Sequence, residues 1–262
     1  MTHSPKIKIV NPDNPLTEAE LADIAALAKR QRQAGGLLLK AINAVGGSVE
    51  DGLKVLPKGL RDQIDDLART ALRQSYDLAQ NSRKGLGARV VGDRLHGIMA
   101  AMSGALGGAG GIPTALAELP VATTLIFRAV QGVAEIYGED ITSPETRIEC
   151  LRVFGAGGPQ DGDDGVDTAF IGARLTVTGA SVNALISKVA PRFAVVLGQK
   201  LASQAVPVLG AAAGAGTNYA FTNYYIEMAH VHFGLRRLCR TADPDLVADA
   251  FHSALADKRI GH

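Results

Sequence analysis

From Thr17 onward, apolar residues recur at helical intervals. Leu21, Ile24, Ala25 and Ala28 share one face, and Thr17 with Glu20 has the spacing of a capping box. A second amphipathic helix is expected over about 57–83, its stripe built from Ile64, Leu67, Ala68, Ala71, Leu72, Leu78 and Ala79. Arg61, Asp62, Asp65, Arg69, Arg73 and Asp77 lie on its other face, which reads as solvated. Between these helices, the pairs Gly35-Gly36 and Gly46-Gly47 read as breaks in a short segment over 35–56. Later helix starts are marked by Ser143-Pro144-Glu145 and Asp243-Pro244-Asp245, each a capping side chain, a proline and an acid. Strand signals are confined to 174–178 and 195–197, and neither has a hairpin partner at close range. The pattern predicts an all-α protein, a compact multi-helix bundle with Gly/Ala-rich buried helices. Residues 1–16 read as a flexible N-terminal segment and 17–258 as a single helical domain. The run GAGGPQDGDDG at 155–165 forms an internal loop within it.

Two stretches break the amphipathic rhythm. Residues 95–117 and 201–226 contain no Lys, Arg, Asp or Glu, and each is long enough to cross a bilayer. Their content argues for burial in protein instead. The first holds six glycines and Pro113; the second holds Pro207, three glycines, Asn218 and Asn223. Insertion into lipid is driven by large aliphatic and Phe side chains, and both runs are poor in them. Gly104 with Gly108, Gly107 with Gly111, and Gly210 with Gly214 have the interval that lets two helix backbones approach closely.

Composition narrows the classes. The 262 residues are 47% hydrophobic and 20% charged, which excludes disorder over most of the chain. Charge nearly cancels, 27 Lys+Arg against 26 Asp+Glu, so no global basic field suggests nucleic acid as a partner. Cys150 and Cys239 cannot make a disulfide scaffold or a four-ligand zinc site. With no tryptophan and 5% aromatic residues, small side chains are expected to fill much of the core. The polar N-terminus lacks the apolar region of a secretory signal, so a cytoplasmic location is expected.

Several ordered blocks carry a family resemblance. They are GALGGAGGIPTALAELP at 104–120, then Arg128 and Gln131, then Tyr137-Gly138-Glu139-Asp140-Ile141 leading into PETRIECLRVF. PVLGAAAGAGTNYAF at 207–221 and HFGLRRL at 232–238 follow. In order and spacing they resemble the EcsC family over about 95–240. The resemblance implies a helical, hydrophobic protein, membrane-associated or cytosolic, of unsettled biochemical role. It transfers no catalytic set. A protease-like activity finds no support here, since the chain lacks HExxH and GxSxG.

Candidate chemistry is sparse. Asp93/His96, Glu227/His230 and Asp249/His252 are acid–histidine pairs three apart, the presentation used by di-iron bundles. Such a centre needs two more inward carboxylates, for which Glu118 and Glu135 are the candidates. The ordinary reading of each pair is a surface ion pair. His230 and His232, two apart, diverge on a helix and cannot act as a joint ligand pair. Asp161, Asp163 and Asp164 miss the closing acid of a calcium loop. Glu118 and Arg128 follow a long uncharged run, and Arg128, Gln131 and Glu135 fall along one helical face. With Asn218 they are candidates for a polar network, or for a polar cleft lining that receives an amphiphile's head group. Arg128→Ala is accordingly expected to cost more stability than Arg61→Ala. From Thr168 to Ile226 there is no acid, while Arg174, Lys188, Arg192 and Lys200 are present. These four are candidates for a membrane-facing surface.

The expected function is that of a peripheral membrane-associated or lipid-binding helical protein. Its partners would be anionic lipid or an integral membrane protein such as a transporter subunit, and no cofactor is called for. Two alternatives stand beside it. One is a di-metal carboxylate enzyme in the same bundle; the other is a scaffold that self-associates into a homo-oligomer through its glycine faces.

Overall fold

The computed structural model describes residues 16–44, 58–61, 63–82, 112–156, 179–204 and 210–257. Every regular element among them is helical. The order is α1 (Glu18–Ala44), a single turn at Lys58–Arg61, α2 (Ile64–Ser82), α3 (Ile112–Ile136) and α4 (Pro144–Val153), which runs into a 3-10 turn at Phe154–Ala156. Then come α5 (Gly179–Gln204), α6 (Gly210–Leu238) and α7 (Pro244–Ala256). The fold is all-α, as the periodicity predicts.

The helix starts follow their sequence signals. Thr17 Oγ1 accepts from the Glu20 amide at 3.2 Å, and the Glu20 carboxylate accepts from the Thr17 amide at 2.8 Å. That carboxylate also accepts from the Thr17 hydroxyl at 2.8 Å, and the amide and hydroxyl bonds it accepts hold the Glu20 carboxyl below its usual range. Ser143 Oγ accepts from the Thr146 amide at 3.1 Å, and Asp243 Oδ1 from the Asp245 amide at 2.8 Å. Each satisfies an amide that the first helical turn leaves without an intrahelical partner.

Two local expectations differ from the structure, and one weak strand signal is overridden. Helix α1 does not end at Gly35-Gly36 but continues to Ala44. Two mid-helix glycines cost about 2 kcal/mol relative to alanine. Ile24, Leu27, Ala28, Gln31, Ala34 and Leu38 form a buried stripe through the pair, and α1 packs along α6 and across α7. That burial outweighs the local propensity. The helix expected over 57–83 is instead a turn at Lys58–Arg61 followed by α2, and Leu78 at the end of its stripe is exposed. Val195, Val196 and Leu197 lie in α5, where Val196 and Leu197 are buried against the bundle. Here tertiary packing overrides β-branching.

α2 lies over α3 and α5, α3 also packs on α6, and α4 is in contact with α3, α5 and α6. Few aromatic residues occur, yet they are concentrated at this junction. The Phe154 ring stacks on Phe127 at 5.8 Å, meets Phe193 edge-on at 5.4 Å, and lies 5.0 Å from Tyr225. Rings as well as small residues therefore fill the core. Among the described residues, the closest glycine approach joins α1 to α6: a Cβ on Gly234 would lie 2.7 and 2.8 Å from the Leu27 methyls.

Residues 95–111, and with them Gly104, Gly107, Gly108 and Gly111, lie outside the described residues, as do the side chains of 112–118. In the second uncharged stretch, Asn218, Ala220, Phe221, Thr222, Tyr224, Tyr225 and Ile226 are buried, while Tyr219 is exposed. By length and composition, Leu119–Ile136 in α3 and Ser181–Gly198 in α5 could cross a membrane, and about half of each is buried within the bundle.

Candidate functional site

Two features stand out: a buried charge network around α4, and an apolar recess beside a cationic helix face. The network begins with Ser143, whose cap aims α4 so that Glu149 and Arg152, three residues apart, project into the bundle. Both are buried, at 4% and 7% exposure. Arg152 Nη1 donates to both Glu149 oxygens, at 3.0 and 3.2 Å. From α6, His232 Nε2 lies 2.9 Å from Glu149 Oε2, and one turn on Arg236 Nη1 lies 3.4 Å from Oε1. Arg236 Nε also donates to Glu139 at 3.0 Å, and Arg240 Nη2 donates to the same oxygen at 2.6 Å. Glu139 sits in the turn between α3 and α4, so the network ties that turn, α4 and α6 together.

Burial pushes the Glu149 carboxyl up. The His232 hydrogen bond and the charges of His232, Arg152 and Arg236 outweigh it, leaving the carboxyl below its usual range. A carboxylate shared by several donors in a site of low dielectric is held firmly and is costly to remove.

His230 points elsewhere, its Nδ1 3.3 Å from the Tyr137 hydroxyl. The guanidinium of Arg237 lies 5.3 Å from the Tyr137 ring centre and pairs with Asp23 at 3.1 Å. Glu227 pairs with Arg30 at 2.7 Å. Asp249 and His252 are both exposed, and Asp93 and His96 lie outside the described residues. Among the described residues, no group of three or more His, Cys, Asp or Glu side chains could hold a metal ion. Burial raises the Cys239 thiol to about 11, against a smaller lowering by Arg236, so it stays protonated at neutral pH.

The sequence-derived polar candidates separate. Gln131 and Asn218 are buried, Arg128 is half-buried and Glu135 is exposed. The side chains of Glu118 and Arg61 lie outside the described residues. A more deeply buried guanidinium than Arg128 belongs to Arg152. The sequence does not by itself join Glu139, Glu149, Arg152, His232, Arg236 and Arg240 in one network. Their signal was present in the blocks around 137–154 and 232–238, but partners 83 and 97 positions apart cannot be matched by spacing.

Of the four candidate surface cations, Lys188 and Arg192 are exposed one turn apart on α5. Arg192 Nη1 donates to the Gly155 carbonyl at 3.0 Å. Arg174 and the side chain of Lys200 lie outside the described residues. From α2, Arg69 donates to Ser187 at 3.0 Å and Arg73 to Asn183 at 3.3 Å, bringing two further cations to α5. Asp65 and Asp66 at the start of α2 are exposed as well, so the cationic excess belongs to the α5 side.

On the inner side of α5 lies the recess, about 290 Å³ counting its open mouth. Leu119, Ala122, Thr123 and Ile126 of α3, Phe193, Val196 and Leu197 of α5, and Phe221 and Tyr225 of α6 line it. Thr123 Oγ1 is used within its own helix, donating to the Leu119 carbonyl at 2.7 Å. The buried Tyr225 hydroxyl has no hydrogen-bond partner, and burial pushes its pKa well above the ordinary phenol value.

Comparison with known proteins gives one match: the EcsC protein family, over residues 34–238. Neither a curated protein nor a solved structure matches.

Proposed function

The chain belongs to the EcsC protein family, and we propose that it is a peripheral lipid-binding protein that works at the cytoplasmic face of a membrane beside an integral membrane partner. The observation that carries this reading is the pairing on α5 of an exposed Lys188 and Arg192 with an acid-free sequence from 168 to 226. Arg69 and Arg73 extend the cationic border across Ser187 and Asn183. Basic side chains near an anionic leaflet contribute about 1 kcal/mol each. Four such groups give weak, salt-sensitive attachment, which suits a reversible peripheral protein. Exposed apolar side chains, Val121 on α3 and Tyr219 on α6, would add burial in the interface. The near-neutral net charge of +1 does not oppose this, because the field close to a surface is set by local groups.

Separating cells into soluble and membrane fractions tests the proposal. The protein should sediment with membranes at low salt and be released by a high-salt wash. Recovery wholly in the soluble fraction at low salt would contradict it, and resistance to both salt and carbonate would point to an integral protein instead.

A further inference from the structure

We propose that the protein meets the bilayer end-on: the end of the bundle formed by the second half of α1 and the first halves of α3 and α6 enters the apolar edge of an anionic leaflet. The inference rests on the lipid-binding reading and gives it an orientation and a docking surface. Helix directions come first. Asp23 pairs with Arg237, Arg30 pairs with Glu227, and Leu27 abuts Gly234. α1 therefore runs antiparallel to α6 and brings Leu37 to the level of about residue 220, since both helices rise equally per residue. Leu119, Ala122 and Ile126 share the recess with Phe221 and Tyr225, while Tyr137 meets His230. α3 therefore runs in the same direction as α6 and places Val121 at that level too.

Exposed apolar side chains gather at this level. Leu37, Val121 and Tyr219 are 40, 56 and 45% exposed, each on a different helix. Charge is distributed in the opposite sense. α6 carries no Lys, Arg, Asp or Glu before Glu227, and α3 has none from 119 to 127, with Glu118 the single acid ahead of that stretch. The far end holds the Asp23–Arg237, Glu139–Arg236 and Glu139–Arg240 pairs. Single apolar side chains at one depth on three helices suit a planar bilayer, which contacts all of them at once. The sign of the bordering charge selects an anionic leaflet. Lys40 is exposed one turn on from Leu37, and exposed Arg192 adjoins Phe193 of the recess. Side chains tilt toward the N-terminus of their helix, which for α1 points away from this end. The Lys40 stem can therefore lie along apolar groups while its ammonium reaches back to the headgroup phosphates. Tyr219, an apolar ring with a polar tip, is the residue type that collects at the same boundary.

The chain has no tryptophan, so a single one introduced at a chosen site reports without background. Tyr219→Trp and Ile136→Trp put that probe on opposite ends of the bundle, Ile136 being 69% exposed. Each full-length variant is mixed at low salt with vesicles of phosphatidylglycerol and phosphatidylcholine, and the same samples are sedimented. Emission from Tyr219→Trp should move to shorter wavelength and be quenched by phosphatidylcholine brominated along its acyl chains. Emission from Ile136→Trp should do neither. Val121→Asp should weaken vesicle binding about tenfold, the scale of losing one valine's burial. Its melting temperature should hold, because the side chain is more than half exposed. Quenching of Ile136→Trp as strong as that of Tyr219→Trp overturns the orientation. So does sedimentation with neither probe quenched, or Val121→Asp binding as the unmodified protein does. Each of these three outcomes leaves membrane attachment itself standing. Failure of every variant and of the unmodified protein to sediment overturns attachment, and the orientation with it.

Discussion

Replacing Glu149 probes the charge network most sharply. Its carboxylate faces Arg152 at 3.0 Å, His232 at 2.9 Å and Arg236 at 3.4 Å, at 4% exposure. Removing one partner of a buried charge cluster costs about 3–5 kcal/mol, because the remaining charges stay desolvated. Glu149→Ala should lose that much. For a protein of this size each kcal/mol is worth about 2–4 °C, so the midpoint should fall by roughly 6–20 °C. Glu149→Gln separates charge from volume. It keeps the shape and one acceptor, so it should lose about 1.5–3 kcal/mol, the range of a hydrogen bond to a charged group. Thermal unfolding followed by circular dichroism at pH 7 gives the midpoints. A cycle with His232→Gln should give a coupling of about 1–3 kcal/mol. If Glu149→Ala melts within 2 °C of the unmodified protein, the network is not a clamp between α4 and α6 and the reasoning fails.

Other consequences are more local. The Glu149 carboxyl is depressed in the fold, so its stabilisation is fully present above its unfolded value of 4.5 and is lost as pH falls through the lower folded value. Urea midpoints measured downward from pH 5 should therefore drop more steeply for the unmodified protein than for Glu149→Gln, and parallel curves would refute this. At Gly234, alanine gains about 1 kcal/mol of helix propensity but meets Leu27 at 2.7 Å, a clash worth about 1–3 kcal/mol. Gly234→Ala should therefore destabilise the protein by about 1 kcal/mol in denaturant melts, and should turn neutral or stabilising in a Leu27→Ala background. An equal effect in both backgrounds would show that the contact carries no strain. Ser143→Ala removes the acceptor for the Thr146 amide and should cost about 1 kcal/mol in the same melts, with no effect meaning that the cap is idle.

How far the sequence foretold these features depends on the range of the interaction. Caps are local, so Thr17-x-x-Glu20, Ser143-Pro144 and Asp243-Pro244 were legible and the helix starts fall where they indicate. The continuity of α1 through Gly35-Gly36 was not legible, because it depends on burial against α6 and α7 rather than on neighbouring residues. The same applies to the candidate site. Glu149 with Arg152 is a local pair, but only the packing of α4 on α6 brings His232 to the carboxylate. The family blocks at 137–154 and 232–238 held these residues, and their chain order gave no reason to join them. The divergence of His230 from His232 did follow from helical geometry alone: the first meets Tyr137 and the second meets Glu149.

The proposal that this protein attaches to an anionic membrane surface is tested most directly by co-sedimentation with vesicles. Vesicles containing phosphatidylglycerol should pull the protein down at low salt, whereas purely zwitterionic vesicles should not. Added salt should weaken binding as the Debye length shortens from about 30 Å at 0.01 M to 10 Å at 0.1 M. Replacing both Lys188 and Arg192 with alanine should weaken it further, by about 2 kcal/mol or some thirtyfold. A protein that stays in the supernatant with anionic vesicles at low salt, or that binds both vesicle types equally, would contradict the account.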